Sequence, residues 1–270
     1  MHAPLTRRFA IAVCLSLLAT GAHAQTQTTQ KPFEPQVGQP GKDVVWVPTP
    51  QSMVDKMLDM ARVTSADYVI DLGSGDGRTV ITAARRGATA LGIEYNPEMV
   101  ELSIRNAKTA GVTEKATFVK ADLKESDFSK ATVITMFLLP SLNLELRPKL
   151  LDLKPGTRIV SNSFTMDDWQ TDDTATVTED CSNYCTAHFW IVPAKVPGTW
   201  RLGAADLTLT QEFQMVSGTL GATAISDGRL RGGEITFSVG NAKYTGRVDG
   251  NAMQGTIIGG PGGTWSATRR

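Results

Sequence analysis

A short run of glycines directly after a hydrophobic strand most constrains how this chain can fold. Residues 68–78 read YVIDLGSGDGR. The strand ends on Asp71, and the glycines that follow at alternate positions are Gly73, Gly75 and Gly77. Because glycine has no Cβ, such a loop lets a ligand approach the backbone before a helix begins. The pattern predicts a cofactor site at the start of an α/β sheet.

The acidic side chains near this loop favour a cationic cofactor over a dinucleotide. The spacing is G-x-G-x-G rather than G-x-G-x-x-G, and Asp71 and Asp76 flank the place where a pyrophosphate would lie. Glu94 follows the next predicted strand, where a carboxylate can accept both ribose hydroxyls. Asp122 follows the third strand, where an adenine amino group needs an acceptor. S-adenosylmethionine carries a sulfonium and an ammonium group, so these carboxylates attract it.

At these residues the sequence resembles the class I S-adenosylmethionine-dependent methyltransferases. Together with GIEYNP at 92–97 and VPTP at 47–50, it is similar to small bacterial relatives of mitochondrial protein-lysine methyltransferases. Those enzymes act on the ADP/ATP translocase and on the c-ring protein of the ATP synthase. The resemblance spans residues 46–193 and implies lysine as the methyl acceptor. The candidate cofactor residues are Asp71, Gly73, Ser74, Gly75, Asp76, Gly77, Glu94, Tyr95, Asp122 and Leu123.

Hydrophobic periodicity predicts two kinds of sheet. Strands and helices alternate over residues 67–163, which predicts a parallel sheet covered by helices on both faces. Segments 175–179 and 187–192 have no helix between them and predict a closing antiparallel hairpin. After Pro193 only short alternating runs remain, separated by turn signals such as Asp249-Gly250. The predicted fold class is α/β, a Rossmann-like seven-stranded class I methyltransferase sheet with a C-terminal antiparallel all-β domain.

Composition divides the chain into four segments. Paired arginines, an apolar run and the small-x-small triplet Ala22-His23-Ala24 are typical of a signal peptide, so we expect export to the periplasm. The apolar run is too short to span a bilayer comfortably, and no transmembrane segment is expected in the mature chain. The predicted segments are a signal peptide at 1–24, a flexible linker at 25–43, a methyltransferase domain at 44–195 and a β-meander domain at 196–270.

The charge balance gives no reason to expect nucleic-acid binding. The chain has 27 basic and 27 acidic residues, so its formal net charge is zero. The expected partner is a protein or small-molecule methyl acceptor. For the β-meander domain, docking or formation of a homodimer is one interpretation and a stabilising cap is the other.

The candidate substrate residues lie around the predicted fourth and fifth strands. Methyl transfer needs mainly positioning, because the sulfonium is already activated, and no catalytic residue can be singled out. The segment TMFLLP at 135–140 lacks the Asn/Asp-Pro-Pro-aromatic motif of enzymes that methylate base amines or amides. Any one of these apolar side chains could equally be core, and Thr49 could simply cap a helix. The candidates are Pro48, Thr49, Met136, Phe137, Phe164 and Trp169, of which Pro48 and Thr49 come from the resemblance.

Two cysteines remain after the predicted cleavage site. Cys181 and Cys185 lie in one connection, and in an oxidising compartment we expect a disulfide between them. His188 could add a third metal ligand, but no fourth is evident and no metal site is predicted. For the whole chain, the alternatives to a protein-lysine methyltransferase are a small-molecule methyltransferase and an exported S-adenosylmethionine-binding protein without turnover.

Overall fold

The computed structural model describes residues 1–2 and 33–270. The apolar run and cleavage site of the predicted signal peptide lie outside the described residues, as does the first part of the predicted linker. Within the described residues, no helix is both long enough and apolar enough to cross a membrane.

Seven strands form the first sheet, in the spatial order β3-β2-β1-β4-β5-β7-β6. The first five are parallel to one another, and β7 runs antiparallel to both β5 and β6. This mostly parallel arrangement confirms the predicted fold class. The strands are β1 (Tyr68–Leu72), β2 (Thr89–Glu94), β3 (Ala116–Lys120), β4 (Val133–Met136), β5 (Arg158–Asn162), β6 (Asp173–Thr176) and β7 (Thr186–Ile191).

In residues 33–270, four helices accompany this sheet, α1 (Gln51–Met60), α2 (Arg78–Arg85), α3 (Pro97–Thr109) and α4 (Pro140–Leu151). Local sequence explains where α3 begins, because the Asn96 side chain accepts a hydrogen bond from the backbone N–H of Glu98 at 2.9 Å and proline follows at the first position. Two apolar clusters, one centred on Met53 and Val80 and one on Ile134 and Trp190, form the cores of the sheet.

Strand order reverses beside β1, and this reversal locates the site. The chain moves outward from β1 to β2 and β3, then returns across β1 to β4 and β5. The loops that leave β1 and β4 therefore diverge and open a crevice at the carboxyl ends of these strands. Ligands of open α/β sheets bind in such a crevice.

The second sheet is antiparallel and closes on itself, since β9 pairs with β8 and also with β10. Its interior is filled by apolar side chains that include three large rings, Trp200, Phe237 and Trp265. The strands are β8 (Gly198–Leu202), β9 (Ala205–Glu212), β10 (Met215–Leu220), β11 (Thr223–Ala224), β12 (Ser226–Arg231), β13 (Glu234–Val239), β14 (Ala242–Asp249), β15 (Ala252–Ile258) and β16 (Gly263–Arg269).

The two sheets share a buried boundary. Arg229 of β12 forms an ion pair with Asp172, whose side chain is fully buried, at 2.7 Å. The Gln214 side chain donates a hydrogen bond to the backbone carbonyl of Gln170, also at 2.7 Å. Trp169 stacks on Phe213 with ring centroids 6.0 Å apart. Such contacts tie the closed sheet to the hairpin edge of the parallel sheet.

Candidate active site

The glycine loop between β1 and α2 has the backbone that its sequence predicts. Gly73, Gly75 and Gly77 have φ angles of 76°, 55° and 82°, which residues with a Cβ rarely adopt. A Cβ on Gly75 would lie 2.8 Å from Nε1 of Trp46. Beside it, the Ser74 hydroxyl is buried without a hydrogen-bond partner in the described part of the chain. This hydroxyl packs against Gly92 of β2, where a Cβ would lie 2.5 Å from the Ser74 Oγ.

Asp71, at the carboxyl end of β1, lies on the wall of the same crevice and is only 6% exposed. Burial raises the pKa of its carboxyl group to about 7; the hydrogen bond from Thr135 opposes that rise, and the charges of Asp76 and Glu94 add to it. The Thr135 hydroxyl donates at 2.6 Å. Among the described residues, no lysine or arginine forms an ion pair with Asp71, so this acid lacks a cationic partner.

Glu94, the last residue of β2, lines the crevice and is held by the backbone. Its two carboxylate oxygens accept hydrogen bonds from the N–H of Gly75 at 3.0 Å and of Asn96 at 2.9 Å. A carboxylate oxygen can accept more than one hydrogen bond, so both oxygens retain capacity for a ligand. A carboxylate that is fixed in this way can accept both hydroxyls of a ribose with little loss of side-chain entropy on binding.

Asp76 is already paired, and its partner links two walls of the crevice. Arg78 forms an ion pair with Asp76 at 2.6 Å. The same guanidinium donates a hydrogen bond to the backbone carbonyl of Thr49 at 2.7 Å. Arg78 thus connects the glycine loop to the Pro48-Thr49 segment, a role that the sequence pattern does not predict.

Another wall of the crevice is formed by residues 39–47, most of which were predicted to be flexible linker. Within this wall Trp46 donates a backbone hydrogen bond to the carbonyl of Gln39 at 2.9 Å, and Pro40 bridges to Val45. Lys42 pairs with Asp122 and lies 4.9 Å above the Tyr95 ring. The hydrogen bond from Lys42 is the main cause that holds the pKa of Asp122 below its usual value. A polar, Pro- and Gly-containing sequence gave no sign of these contacts.

Three aromatic rings line the opposite end of the crevice. The Phe137 ring lies 6.1 Å from that of Phe164 and 5.1 Å from that of Tyr184, and the last two rings are 6.1 Å apart. We call Phe137, Phe164 and Tyr184 the aromatic cluster. Tyr184 is 44% exposed, and its sequence context does not predict a site, because the residue lies in a polar connection with no apolar pattern.

The structure brings most of the predicted site residues together. Two do not line the crevice: Gly77, which is the N-cap of α2, and Trp169. The prediction that Trp169 forms a wall of the substrate site is wrong, because its side chain is fully buried between Trp190 and Phe213. The lining candidates are Pro48, Thr49, Asp71, Gly73, Ser74, Gly75, Asp76, Glu94, Tyr95, Asp122, Leu123, Met136, Phe137 and Phe164.

A disulfide joins Cys181 and Cys185, whose Cα atoms are 5.8 Å apart. His188 is half-buried in β7, and burial lowers the pKa of its imidazole. Over residues 33–270, no group of three or more His, Cys, Asp or Glu side chains is placed to hold a metal ion.

These features fit a cationic nucleoside cofactor. The fixed carboxylate of Glu94 can accept hydrogen bonds from ribose hydroxyls, and the carboxylate of Asp71, which has no lysine or arginine partner in residues 33–270, can balance a positive charge. On a mostly parallel seven-stranded sheet, with glycines after β1 and an acid ending β2, they define a class I S-adenosylmethionine-dependent methyltransferase.

Comparison with known proteins places the chain within this class. Residues 71–173 match the family described as the ANTKMT methyltransferase domain. A protein-lysine N-methyltransferase of Saccharolobus islandicus is 42% identical over 152 residues, which are 55% of this chain and 94% of that protein. The chain belongs to this methyltransferase family, and S-adenosylmethionine is its cofactor.

Two further relatives differ in length or in described substrate. The adenine nucleotide translocase lysine N-methyltransferase of Mus musculus is 34% identical over 47% of this chain, and the match spans only 56% of the mouse protein. A crystal structure from Salinibacter ruber, described as an RNA methyltransferase in complex with S-adenosyl-L-homocysteine, is 47% identical. It covers 56% of this chain and 97% of its own, with a TM-score of 0.53.

Proposed function

We propose that the protein transfers a methyl group from S-adenosylmethionine to the side-chain amine of a lysine in a protein. The observation that carries this proposal is the aromatic cluster at the acceptor end of the crevice. Rings of this kind attract an alkylated ammonium through cation–π interaction, and apolar walls accommodate a methylene stem. The relatives described as lysine N-methyltransferases support the same acceptor.

Charge movement in the reaction suits this arrangement. The cofactor supplies a methyl group on a sulfonium, and transfer leaves the positive charge on the acceptor nitrogen. Phe137, Phe164 and Tyr184 lie where they would stabilise that developing charge. The lysine must first lose a proton, and desolvation among apolar side chains lowers its pKa. Transfer should therefore become faster as the pH rises.

At the cofactor end, three acids take different roles in this proposal. Glu94 would accept the ribose hydroxyls, because the backbone already fixes its oxygens. Asp122 would accept the adenine amino group after its pairing with Lys42 rearranges. Asp71 would face the positive charge of the methionine portion, since it has no cationic partner in the described residues.

RNA is the second candidate acceptor, because the Salinibacter ruber protein is described as an RNA methyltransferase. The charge of the crevice opposes this substrate. Five carboxylates line it, against two cations that are both paired with carboxylates. A polyanion gains its binding free energy mainly from unpaired lysines and arginines, so the crevice favours a cationic acceptor. The lining charges are Lys42, Asp43, Asp71, Asp76, Arg78, Glu94 and Asp122.

The test is to locate a labelled methyl group. We would incubate the purified protein with methyl-labelled S-adenosylmethionine and an envelope extract, separate protein, RNA and small molecules, and hydrolyse the protein fraction. We expect methylated lysine, and less of it with Asp71→Asn as the control. Label in nucleosides would favour RNA, label in small molecules alone would favour a small-molecule methyltransferase, and cofactor binding without transfer would indicate a binding protein.

We also propose that the protein works outside the cytoplasm. The leader-like pattern of residues 1–24 and the Cys181–Cys185 disulfide support this location, since disulfides persist in oxidising compartments. Cell fractionation followed by thiol labelling without reductant should find the chain in the periplasm with no free cysteine. Cytoplasmic protein with two labelled thiols would overturn the proposal.

A further inference from the structure

The connection between β6 and β7 holds a five-residue disulfide ring that reaches the acceptor end of the crevice. Cys181 and Cys185 close the ring, and Tyr184 lies inside it. Val177 donates a backbone hydrogen bond to the carbonyl of Cys185 at 2.8 Å, which anchors the base of the ring to the sheet. The ring therefore carries an aromatic side chain from the sheet edge to the crevice.

The other two members of the aromatic cluster are held by the body of the sheet. Phe137 directly follows β4, whose four residues are all buried. Phe164 follows β5, and the fully buried Asn143 of α4 donates a hydrogen bond to its carbonyl at 3.3 Å. Ser163, just before it, donates a backbone hydrogen bond to Thr186 at 2.6 Å. These two rings need no further support.

Tyr184 is held differently. Its backbone has a φ angle of 60°, a left-handed conformation that a residue with a Cβ seldom adopts without constraint. Nearly half of its side chain is exposed, and the rings of Phe137 and Phe164 are the aromatic contacts it makes among the described residues. A short covalent ring is the feature that removes alternative backbone conformations from this segment.

We propose that the Cys181–Cys185 disulfide positions Tyr184 as the third wall of a cation-binding acceptor pocket, and that Tyr184 contributes to the choice of a lysine acceptor. This inference rests on the proposed function. Tyr184 touches the acceptor, and the two cysteines act through it. The adenosine end lies on other elements, so loss of the ring should weaken acceptor binding without weakening cofactor binding.

The first test compares the wild type with four variants in steady-state methylation of the acceptor protein. Tyr184→Leu and the double variant Cys181→Ser/Cys185→Ser should each lower kcat/KM for the acceptor about tenfold, a typical cation–π contribution to the charge that develops on the acceptor nitrogen. Tyr184→Phe keeps the ring face and should stay within about twofold of the wild type. As a matched control, Tyr95→Leu removes a similarly exposed ring at the cofactor end. It should raise the S-adenosylmethionine Kd and, at saturating cofactor, leave kcat/KM for the acceptor unchanged.

The second test needs no turnover. Tetramethylammonium is titrated into protein saturated with S-adenosyl-L-homocysteine, with tert-butanol as a neutral probe of similar shape. Binding of the cation should be strong in the wild type and Tyr184→Phe, and weak in Tyr184→Leu and the double cysteine variant. Loss of binding confined to Tyr184→Leu would show that the disulfide does not position the ring.

The two tests separate two kinds of failure. If Tyr184→Leu and the double cysteine variant methylate lysine with the same kcat/KM as the wild type and bind the cation equally well, the inference about Tyr184 is wrong while the proposed function stands. If the cation binds through Tyr184 but no lysine is methylated, the pocket stands and the proposed acceptor is wrong.

Discussion

Two buried carboxylates at opposite ends of β1 have opposite environments. Asp67 immediately precedes the strand and is 8% exposed, whereas Asp71, near the end of the strand, is 6% exposed. Burial alone would raise the pKa of Asp67, but hydrogen bonds and the Arg158 guanidinium hold it below its usual value. The pKa of Asp71 instead rises to about 7. Burial is therefore not what separates the two acids.

Their partners make the difference. The Asp67 side chain accepts hydrogen bonds from the backbone N–H of Thr64 and the Thr132 hydroxyl, both at 2.8 Å, and pairs with Arg158. Asp71 receives the Thr135 hydrogen bond but has no cation beside it in residues 33–270. An acid whose charge is balanced stabilises the fold, whereas an acid left unbalanced in a crevice can accept a ligand's charge.

Replacement of Asp71 should have the largest effect on cofactor binding. Asp71→Asn keeps the size of the side chain but removes the charge, so we expect the S-adenosylmethionine Kd to rise about 30-fold or more, as for a lost charged contact. Calorimetric titration of the folded variant measures this. A change of less than about threefold would remove Asp71 from the cofactor site.

Asp67→Asn is the matched control for that experiment. It breaks a buried ion pair and should lower the free energy of unfolding by about 2 kcal/mol, with the cofactor Kd unchanged in the folded protein. Ligand-free Asp71→Asn should not melt below the wild type at pH 8. The reason is that a folded-state pKa raised from 3.8 to about 7 makes stability fall as pH rises through that interval. If Asp67→Asn and Asp71→Asn each lowered both the stability of the fold and the affinity for the cofactor, the two acids would not have the separate roles described above.

Glu94→Gln should have the next largest effect. The amide keeps the shape of the side chain but has only one oxygen to serve the N–H groups of Gly75 and Asn96 and a ribose. We expect roughly tenfold weaker cofactor binding by calorimetry. Glu98→Gln, an exposed change in the first turn of α3, should leave the affinity unaltered. Equal affinity in the two variants would exclude Glu94 from the site.

Thr135→Val should have the smallest effect, and that effect should depend on pH. Without the hydroxyl, the pKa of Asp71 rises further, so cofactor affinity at pH 7 should fall about threefold to fivefold. The difference should shrink at pH 9, where Asp71 is ionised in both proteins. Thr132→Val, its counterpart beside Asp67, should change only the melting temperature. A pH-independent loss for Thr135→Val would point to a packing effect.

Sequence alone predicted the parts of the fold that depend on local pattern. The glycine loop, the acid that ends β2 and the alternation of strands and helices each follow from residues close together in the chain. Closure of the second sheet did not, because it requires β9 to pair with β10 as well as β8. Hairpin signals predict which consecutive strands pair with each other. They do not predict whether a strand also pairs with a second neighbour.

The sequence pointed to crevice residues at the strand ends and, through the resemblance, to Pro48 and Thr49, but it gave no sign of several others. Lys42 and Tyr184 lie in segments without periodicity, and each reaches the crevice through tertiary contacts, to Asp122 in one case and to Phe137 in the other. Trp169 was wrongly predicted to lie in the site, since an aromatic residue after β5 could face either the crevice or the second sheet. Only the packing of the two sheets decided between them.

Proton release on cofactor binding tests most directly whether Asp71 receives the cofactor's positive charge. At pH 6.5 the carboxyl group, with a pKa of about 7, is mostly protonated in the free protein, and the cofactor's amino group is already charged. Titrations in buffers of different ionisation enthalpy should show that S-adenosylmethionine releases a large fraction of a proton from the wild type and none from Asp71→Asn. Equal proton release from the two proteins, or none from the wild type, would contradict this assignment.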